Sequence, residues 1–149
     1  MHCQNRGISL VTSIAYNLEL NGCAERQNCT HIEGTRTMLK DSELGRDLWA
    51  KAISTHVYIQ NRCPSSILPN GITPYKRVFG HAPSIGHLQV FSSKCFIKVL
   101  DETRTKLDDK AKECRLLGYK GDSIYIVVDA DQKKQWSRNI IFVEGIAHR

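Results

Sequence analysis

The sequence predicts an α+β fold, and three observations carry the prediction. Helical periodicity of apolar residues runs through the first part of the chain, short β-branched and aromatic runs replace it after Pro83, and tight-turn residues separate those later runs. The change of character falls near residue 87. No Pro- or Gly-rich linker marks it, and neither an internal repeat nor a low-complexity segment is present.

Taken in order, residues 7–15 are rich in β-branched positions behind a glycine and read as a strand. Asn21-Gly22 then punctuates the chain before a helical stretch over about 22–40. On that stretch Cys29, Ile32, Thr35 and Leu39 are expected to share one side, with Glu25, Asn28 and Arg36 on adjoining positions. Glu25 falls in the first turn, where the helix dipole favours an ionised carboxylate. The clearest period lies between Asp47 and Gln60, where Leu48, Trp49, Ala52, Ile53, His56 and Val57 form one broad apolar stripe expected to be core. His56 within it reads as a satisfied buried histidine, and Trp49 and Trp136 read as packing residues. Pro64 ends that helix. Thr73, Pro74 and Gly80 predict one short helix with a threonine N-cap, proline at the first position and a glycine stop. Beyond it, strands are expected over 90–99, 114–119, 124–129 and 136–142, with turns at Gly121-Asp122 and Ala130-Asp131-Gln132. Short strands joined this way suggest a small β-barrel over residues 88–145, able to form a unit of its own.

At 149 residues, 41% hydrophobic and 24% charged, the chain has globular rather than disordered composition. Its net charge of +6 is compatible with a polyanionic partner, but the excess is diffuse. Residues 1–88 and 89–149 each carry +3, and no basic cluster is longer than a pair such as Lys133-Lys134. The six cysteines form no C-x-x-C pair, and Cys23, Cys29 and His31 lack paired zinc-ligand spacing. They read as free, mostly buried thiols of an intracellular protein, nuclear or cytoplasmic, with no export leader and no apolar run long enough to span a bilayer.

The run Asn21-Gly22-Cys23-Ala24-Glu25-Arg26-Gln27-Asn28 resembles the Asn-Gly-Val-Ala-Glu-Arg-x-Asn signature of Copia-type retrotransposon integrases. The likeness continues in order along nearly the whole chain. Gly34-Thr35-Arg36-Thr37-Met38-Leu39, Leu48-Trp49-Ala50-Lys51-Ala52 and Tyr58-Ile59-Gln60-Asn61-Arg62-Cys63-Pro64 are similar to family patches. So are Thr73-Pro74-Tyr75 with Phe79-Gly80, His87-Leu88-Gln89-Val90-Phe91, Lys106 to Ala111, Leu117-Gly118-Tyr119 and Ser137 to Phe142. The sequence departs from the family pattern at Leu18, where Pro is favoured, at Cys29, where Arg is favoured, and at Ser92-Ser93, where Gly-Cys is favoured.

The resemblance implies that residues 1–87 are the C-terminal remnant of a ribonuclease-H-like catalytic core, a strand plus helices. A small Src-homology-3-like barrel follows in 88–145. It implies a retrotransposon Pol polyprotein whose parent integrase performs metal-dependent strand transfer on element ends and target DNA, with homo-oligomers compatible. In the family Glu25 corresponds to the last of three carboxylates that bind Mg²⁺ or Mn²⁺, and both aspartates lie further upstream than 24 residues. Residues 1–24 contain no Asp. A two-ion site needs at least three acidic groups from different elements. The chain is therefore expected to bind no metal stably and to be catalytically inactive alone. Without the resemblance, Glu25 reads only as a helix-terminal carboxylate. By family analogy Arg26, Asn28 and Arg36 reach phosphate oxygens, while a solvated helix face explains them equally. Lys94, Lys98, Arg115 and Lys120, interleaved with Phe96 and Tyr119, make a second nucleic-acid surface or simply the barrel's own core and rim. A host-adopted or truncated nucleic-acid- or protein-binding module, or a relic without function, is the alternative to an integrase part.

Overall fold

The computed structural model describes residues 21–42, 44–99 and 109–143, together with Gly7 and Ser9. The strand expected over 7–15 lies outside the described residues. Helix α1 (Gly22–Ser42) carries Glu25 in its first turn and Lys40 in its last, each opposite in sign to the dipole end it faces. A 3₁₀ turn, Arg46–Leu48, leads into α2 (Trp49–Gln60), and α3 (Pro74–Phe79) follows. The caps of α3 are those expected: Thr73 Oγ1 accepts from the Lys76 amide, and Gly80 closes the helix at φ 79°.

The contacts of α1 with α2 run antiparallel. Gln27 donates to Gln60 at 3.2 Å, the rings of His31 and His56 meet edge-on at 5.6 Å, and Met38 and Leu39 reach the cluster around Leu48. Thr35 and Ser42 are the buried positions of α1. Cys29 is exposed and Ile32 is 45% exposed, so the packed stripe is rotated away from the expected one. The rotation follows from Gly34, whose bare Cα lies against the His56 imidazole, where a Cβ would collide with the ring. Small and hydroxylated residues therefore make the contact near Gly34, while Cys29 and Ile32 stay outside it.

Five antiparallel strands form the sheet: β1 (Lys94–Lys98), β2 (Ala111–Tyr119), β3 (Tyr125–Asp129), β4 (Lys134–Ser137) and β5 (Ile140–Phe142), in the order β4-β3-β2-β1-β5. The single run expected over 136–142 is thus two strands on opposite edges. Only Arg138 and Asn139 join them. Three Cα steps reach at most about 11 Å, whereas edges four intervals apart in a flat sheet would be about 19 Å apart. The sheet must curl until its edges approach, which is how the barrel arises. Cys95, Cys114, Leu116 and Val127 fill its interior with Ile97, Tyr119, Tyr125, Ile140 and Phe142 around them.

The helices dock on the outer side of the same sheet. Leu48 and Ala52 share a buried cluster with Phe91, Leu117 and Val128, so residues on either side of position 87 bury one another. A β-bulge makes this arrangement: Leu116 pairs with Val127 and Gly118 with Ile126, leaving Leu117 as the extra residue. Leu117 and Gly118 consequently both face the helices, while Tyr119 returns to the interior. Buried Thr55 donates its hydroxyl to the Leu117 carbonyl at 2.7 Å, and a Cβ on Gly118 would strike that hydroxyl.

Ser92 has φ 67°, a left-handed conformation that costs a side-chain-bearing residue roughly 1–2 kcal/mol. This is the position at which the resembled family favours Gly. Here the hydroxyl offsets the strain: it donates to the Ser42 carbonyl and accepts from Arg115, both at 3.2 Å.

Replacing Thr55 with Val keeps shape but leaves the buried Leu117 carbonyl without its donor. The expected loss is about 1–3 kcal/mol in urea unfolding, with Thr55→Ser retaining most of the stability. Equal stability of the Val and Thr proteins would show that this bond does not hold the helices to the sheet.

Candidate nucleic-acid interface

Glu25, Arg26, Asn28 and Arg36 are all on α1 and all exposed. At about 100° per residue, Glu25 and Arg36 are only about 20° apart around the axis but about 16 Å apart along it. Asn28 neighbours Glu25 across one turn, and Arg26 lies about 100° to the side. The helix therefore joins Glu25, Asn28 and Arg36 in one long stripe that α2 does not cover, and sets Arg26 on its border. Glu33 stands two turns from Glu25 and does not share its position. Among the described residues no group of three or more His, Cys, Asp or Glu side chains is arranged to hold a metal ion. One exposed carboxylate does not fit a two-ion site, and the described residues do not complete one.

The stripe continues into a groove of about 570 Å³ lined by Arg36, Leu39, Lys40, Arg46 and Trp49. Trp49, expected to pack, is 59% exposed. As the first residue of α2, its side chain points past the Leu48–Ala52 contact rather than into it. Arg36 and Lys40, four residues apart, are like charges that repel on a helix surface.

Much of the barrel's positive charge is already committed. Lys94 pairs with Glu113 at 2.8 Å, and Lys112 pairs with Asp129 at 2.8 Å and Asp131 at 3.0 Å. Arg115 serves Ser92, and Lys120 sits 4.6 Å over the ring of Trp136. Trp136 is 68% exposed, again contrary to a packing role, because β4 turns it outward at the sheet edge. Tyr119 belongs to the interior, with its hydroxyl donating to the Gln89 carbonyl at 2.7 Å. Of the residues expected to interleave on this surface, only part remains open. The free thiols likewise divide differently from expectation: among the described residues Cys23, Cys29 and Cys63 are exposed, and Cys95 and Cys114 are buried. Burial and the adjacent Cys114 push the Cys95 thiol up to about 12, which leaves it unreactive.

A second polar cluster escaped the sequence reading. Tyr58 on α2 donates to the Gly121 carbonyl and Asp122 Oδ1, both at 3.0 Å, and meets His87 Nε2 at 2.8 Å. Arg62 reaches Asp122 at 2.9 Å while lying 3.5 Å over the Tyr58 ring. Tyr58 also stacks on Tyr119 at 4.9 Å. These residues come from α2, the turn that follows it, the loop before β1 and the β2–β3 turn, so no local pattern brings them together. The four-residue spacing of Tyr58, on α2, and Arg62, just past its end, was the only available signal. The cluster ties the end of α2 to the barrel and is structural in character.

Burial lowers the pKa of His87 below the usual 6.5, partly opposed by Asp122, and burial together with His31 lowers that of His56. The Nε2 atom of His56 is buried without a partner, so this histidine is not the satisfied one expected. Arg62 and Tyr58 hold Asp122 below the ordinary carboxylate value. Well above pH 6.5 both histidines are neutral in the folded and the unfolded chain. As the pH falls through 6.5, the unfolded chain takes up protons that the folded imidazoles resist, so stability declines. Asp122 adds a second decline below 3.8, where its favoured ionised form is lost. The thermal midpoint should therefore fall on acidification below 6.5, and His56→Gln with His87→Gln should flatten that fall. A midpoint that rises over this range would contradict the assignment.

Residues 93–148 match the family model described as a retroviral polymerase SH3-like domain. The chain is 36% identical over 147 residues, 97% of its length, to the retrovirus-related Pol polyprotein from transposon TNT 1-94 of Nicotiana tabacum. It is 31% identical over 93% of its length to the corresponding polyprotein from transposon RE1 of Arabidopsis thaliana, and 33% identical over 79% to that from transposon RE2 of the same plant. It spans 11%, 10% and 8% of these relatives respectively, about a tenth of their length. No solved structure matches it significantly. Among the described residues, no helix is long and apolar enough to cross a membrane.

Proposed function

Residues 93–148 belong to the retroviral polymerase SH3-like domain family, and from that premise we propose that this chain is the DNA-binding end of a retrotransposon integrase region. Residues 1–87 correspond in this reading to the last strand and helices of a ribonuclease-H-like core, and 88–145 to the barrel that follows. The parent polyprotein inserts element DNA into target DNA. Helix α1 is the element that faces DNA. Glu25 supplies one carboxylate, and Arg26, Asn28 and Arg36 contact phosphate oxygens.

The uncovered stripe of α1 carries this reading. A helix packed on one side by Thr35, Met38 and Ser42 keeps every residue of the suspected site on its other sides. That segregation leaves Glu25, Asn28 and Arg36 accessible together to a ligand along one face. The +6 net charge supports a polyanionic partner, and Arg26, Arg36, Lys40 and Arg46 on α1 and the turn before α2 have no ion pair among the described residues. The isolation of Glu25 favours a second reading for the chain by itself, a nucleic-acid-binding module that performs no chemistry.

Two measurements test this. Purified 1–149 should neither process nor join labelled DNA ends with Mg²⁺ or Mn²⁺, because one carboxylate cannot hold two ions. Joining activity that disappears on Glu25→Gln would overturn that expectation. Duplex DNA should bind weakly and without sequence preference, losing affinity as salt rises. Neutralising Arg26 and Arg36 together should reduce the slope of log affinity against log salt by about 2, at roughly 0.9 per phosphate contact. An unchanged slope would remove α1 from the interface.

A further inference from the structure

We infer that the groove at the junction of α1 and α2 is a stacking site for an unpaired nucleobase, with Trp49 as its platform. The inference rests on the DNA-binding reading and deepens it by naming a single-stranded segment as the ligand of this one site.

Trp49 and Trp136 are both exposed, but only one has its face occupied. Lys120 lies 4.6 Å over the Trp136 ring. Trp49 makes no cation or ring contact among the described residues. Its indole is instead one wall of a concavity of about 570 Å³, with Leu39 as the other apolar wall and Arg36, Lys40 and Arg46 around it. That volume falls in the range of small-ligand sites. Three cations approach from two elements, α1 and the 3₁₀ turn, and none is ion-paired among the described residues. Among the described residues no carboxylate lines the groove. Asp47, the acid closest in sequence to Trp49, turns back against Gly45, whose Cβ position its carboxylate would occupy.

A bare π-face ringed by unpaired cations is the arrangement that binds single strands: the cations take phosphates, and the ring takes the face of a base. Duplex DNA hides its base faces in the stack, so it uses the charges but not the indole. An acidic peptide would also satisfy the charges. It would need its apolar anchor enclosed, however, and an indole left 59% exposed offers a flat platform rather than a socket. The first turn of α2, which has no acidic residue, adds its positive dipole end beside the ring.

The test uses the intrinsic fluorescence of Trp49 in the full 149-residue chain carrying Trp136→Phe. A single-stranded thymidine oligomer of about 12 nucleotides, a duplex of equal length and an acidic peptide are titrated separately. The expected result is strong quenching by the single strand, little by the duplex and none by the peptide. Trp49→Ala should weaken single-strand binding about 5- to 150-fold, Trp49→Phe should retain most of it, and duplex affinity should change little in either. Because the ring is exposed, neither variant should lower the thermal midpoint, which is measured alongside. Single-strand binding without quenching, and equal in the Ala variant, would overturn the stacking site while leaving the DNA-binding reading intact. Quenching by the peptide alone would replace the nucleobase with a protein ligand. Failure of both DNA forms to bind at low salt would remove this inference together with the reading beneath it.

Discussion

The architecture depends on one contact, the approach of α2 to the bulged segment of β2. Thr55 donates to the Leu117 carbonyl at 2.7 Å, and Gly118 leaves the space in which that hydroxyl sits. The bulge places Leu117 and Gly118 on the same side of the strand, so Leu117 can fill the helix-facing cluster while Leu116 fills the barrel. A regular strand would have sent Gly118 inward and Tyr119 outward. Tyr119 would then be lost both to the interior and to its stack on Tyr58. The second attachment, the cluster of Tyr58, Arg62, His87 and Asp122, forms only because α2 is already held in register with β2 one turn earlier.

That dependence explains what the sequence could and could not disclose. Features governed by neighbours in the chain were legible: the start of α1 behind Asn21-Gly22, the span of α2, both caps of α3 and the turn at Gly121. The antiparallel sheet and its helical partners were legible in kind, and the family model over 93–148 agrees with the expected Src-homology-3-like barrel. Features governed by partners far along the chain were not. The run 136–142 looks continuous, yet Arg138 and Asn139 carry it from one edge of the curled sheet to the other. Hydrophobicity suggested that Trp49 and Trp136 pack, but each falls at an element end or edge where the chain has already turned its ring outward.

The candidate site was legible as a set of residues and not as a constellation. Glu25, Asn28 and Arg36 share a stripe because eleven residues return an α-helix almost to its starting angle. Their separation along the axis keeps them from acting on one atom. Charge was legible only as a diffuse excess. Glu113, Asp129 and Asp131 hold Lys94 and Lys112 on the barrel, while Arg36, Lys40 and Arg46 have no ion pair among the described residues. Cross-strand pairing, which composition does not encode, decides which of the barrel's lysines are held.

Packed and open surfaces consequently lie on different sides of the same two helices. The side of α2 bearing Ala52 and Thr55 is fully committed to β2 and its cluster, and the side of α1 bearing Thr35 and Ser42 is committed to α2. Trp49, Arg36 and Ile32 lie outside both commitments. Exposed residues away from caps and buried networks usually change stability by no more than about 0.5 kcal/mol when replaced. The exposed stripe is therefore free to vary without unfolding the chain. The pairing of Thr55 with Gly118 is not, since any side chain larger than hydrogen at residue 118 displaces the hydroxyl on which the docking of α1, through α2, also rests.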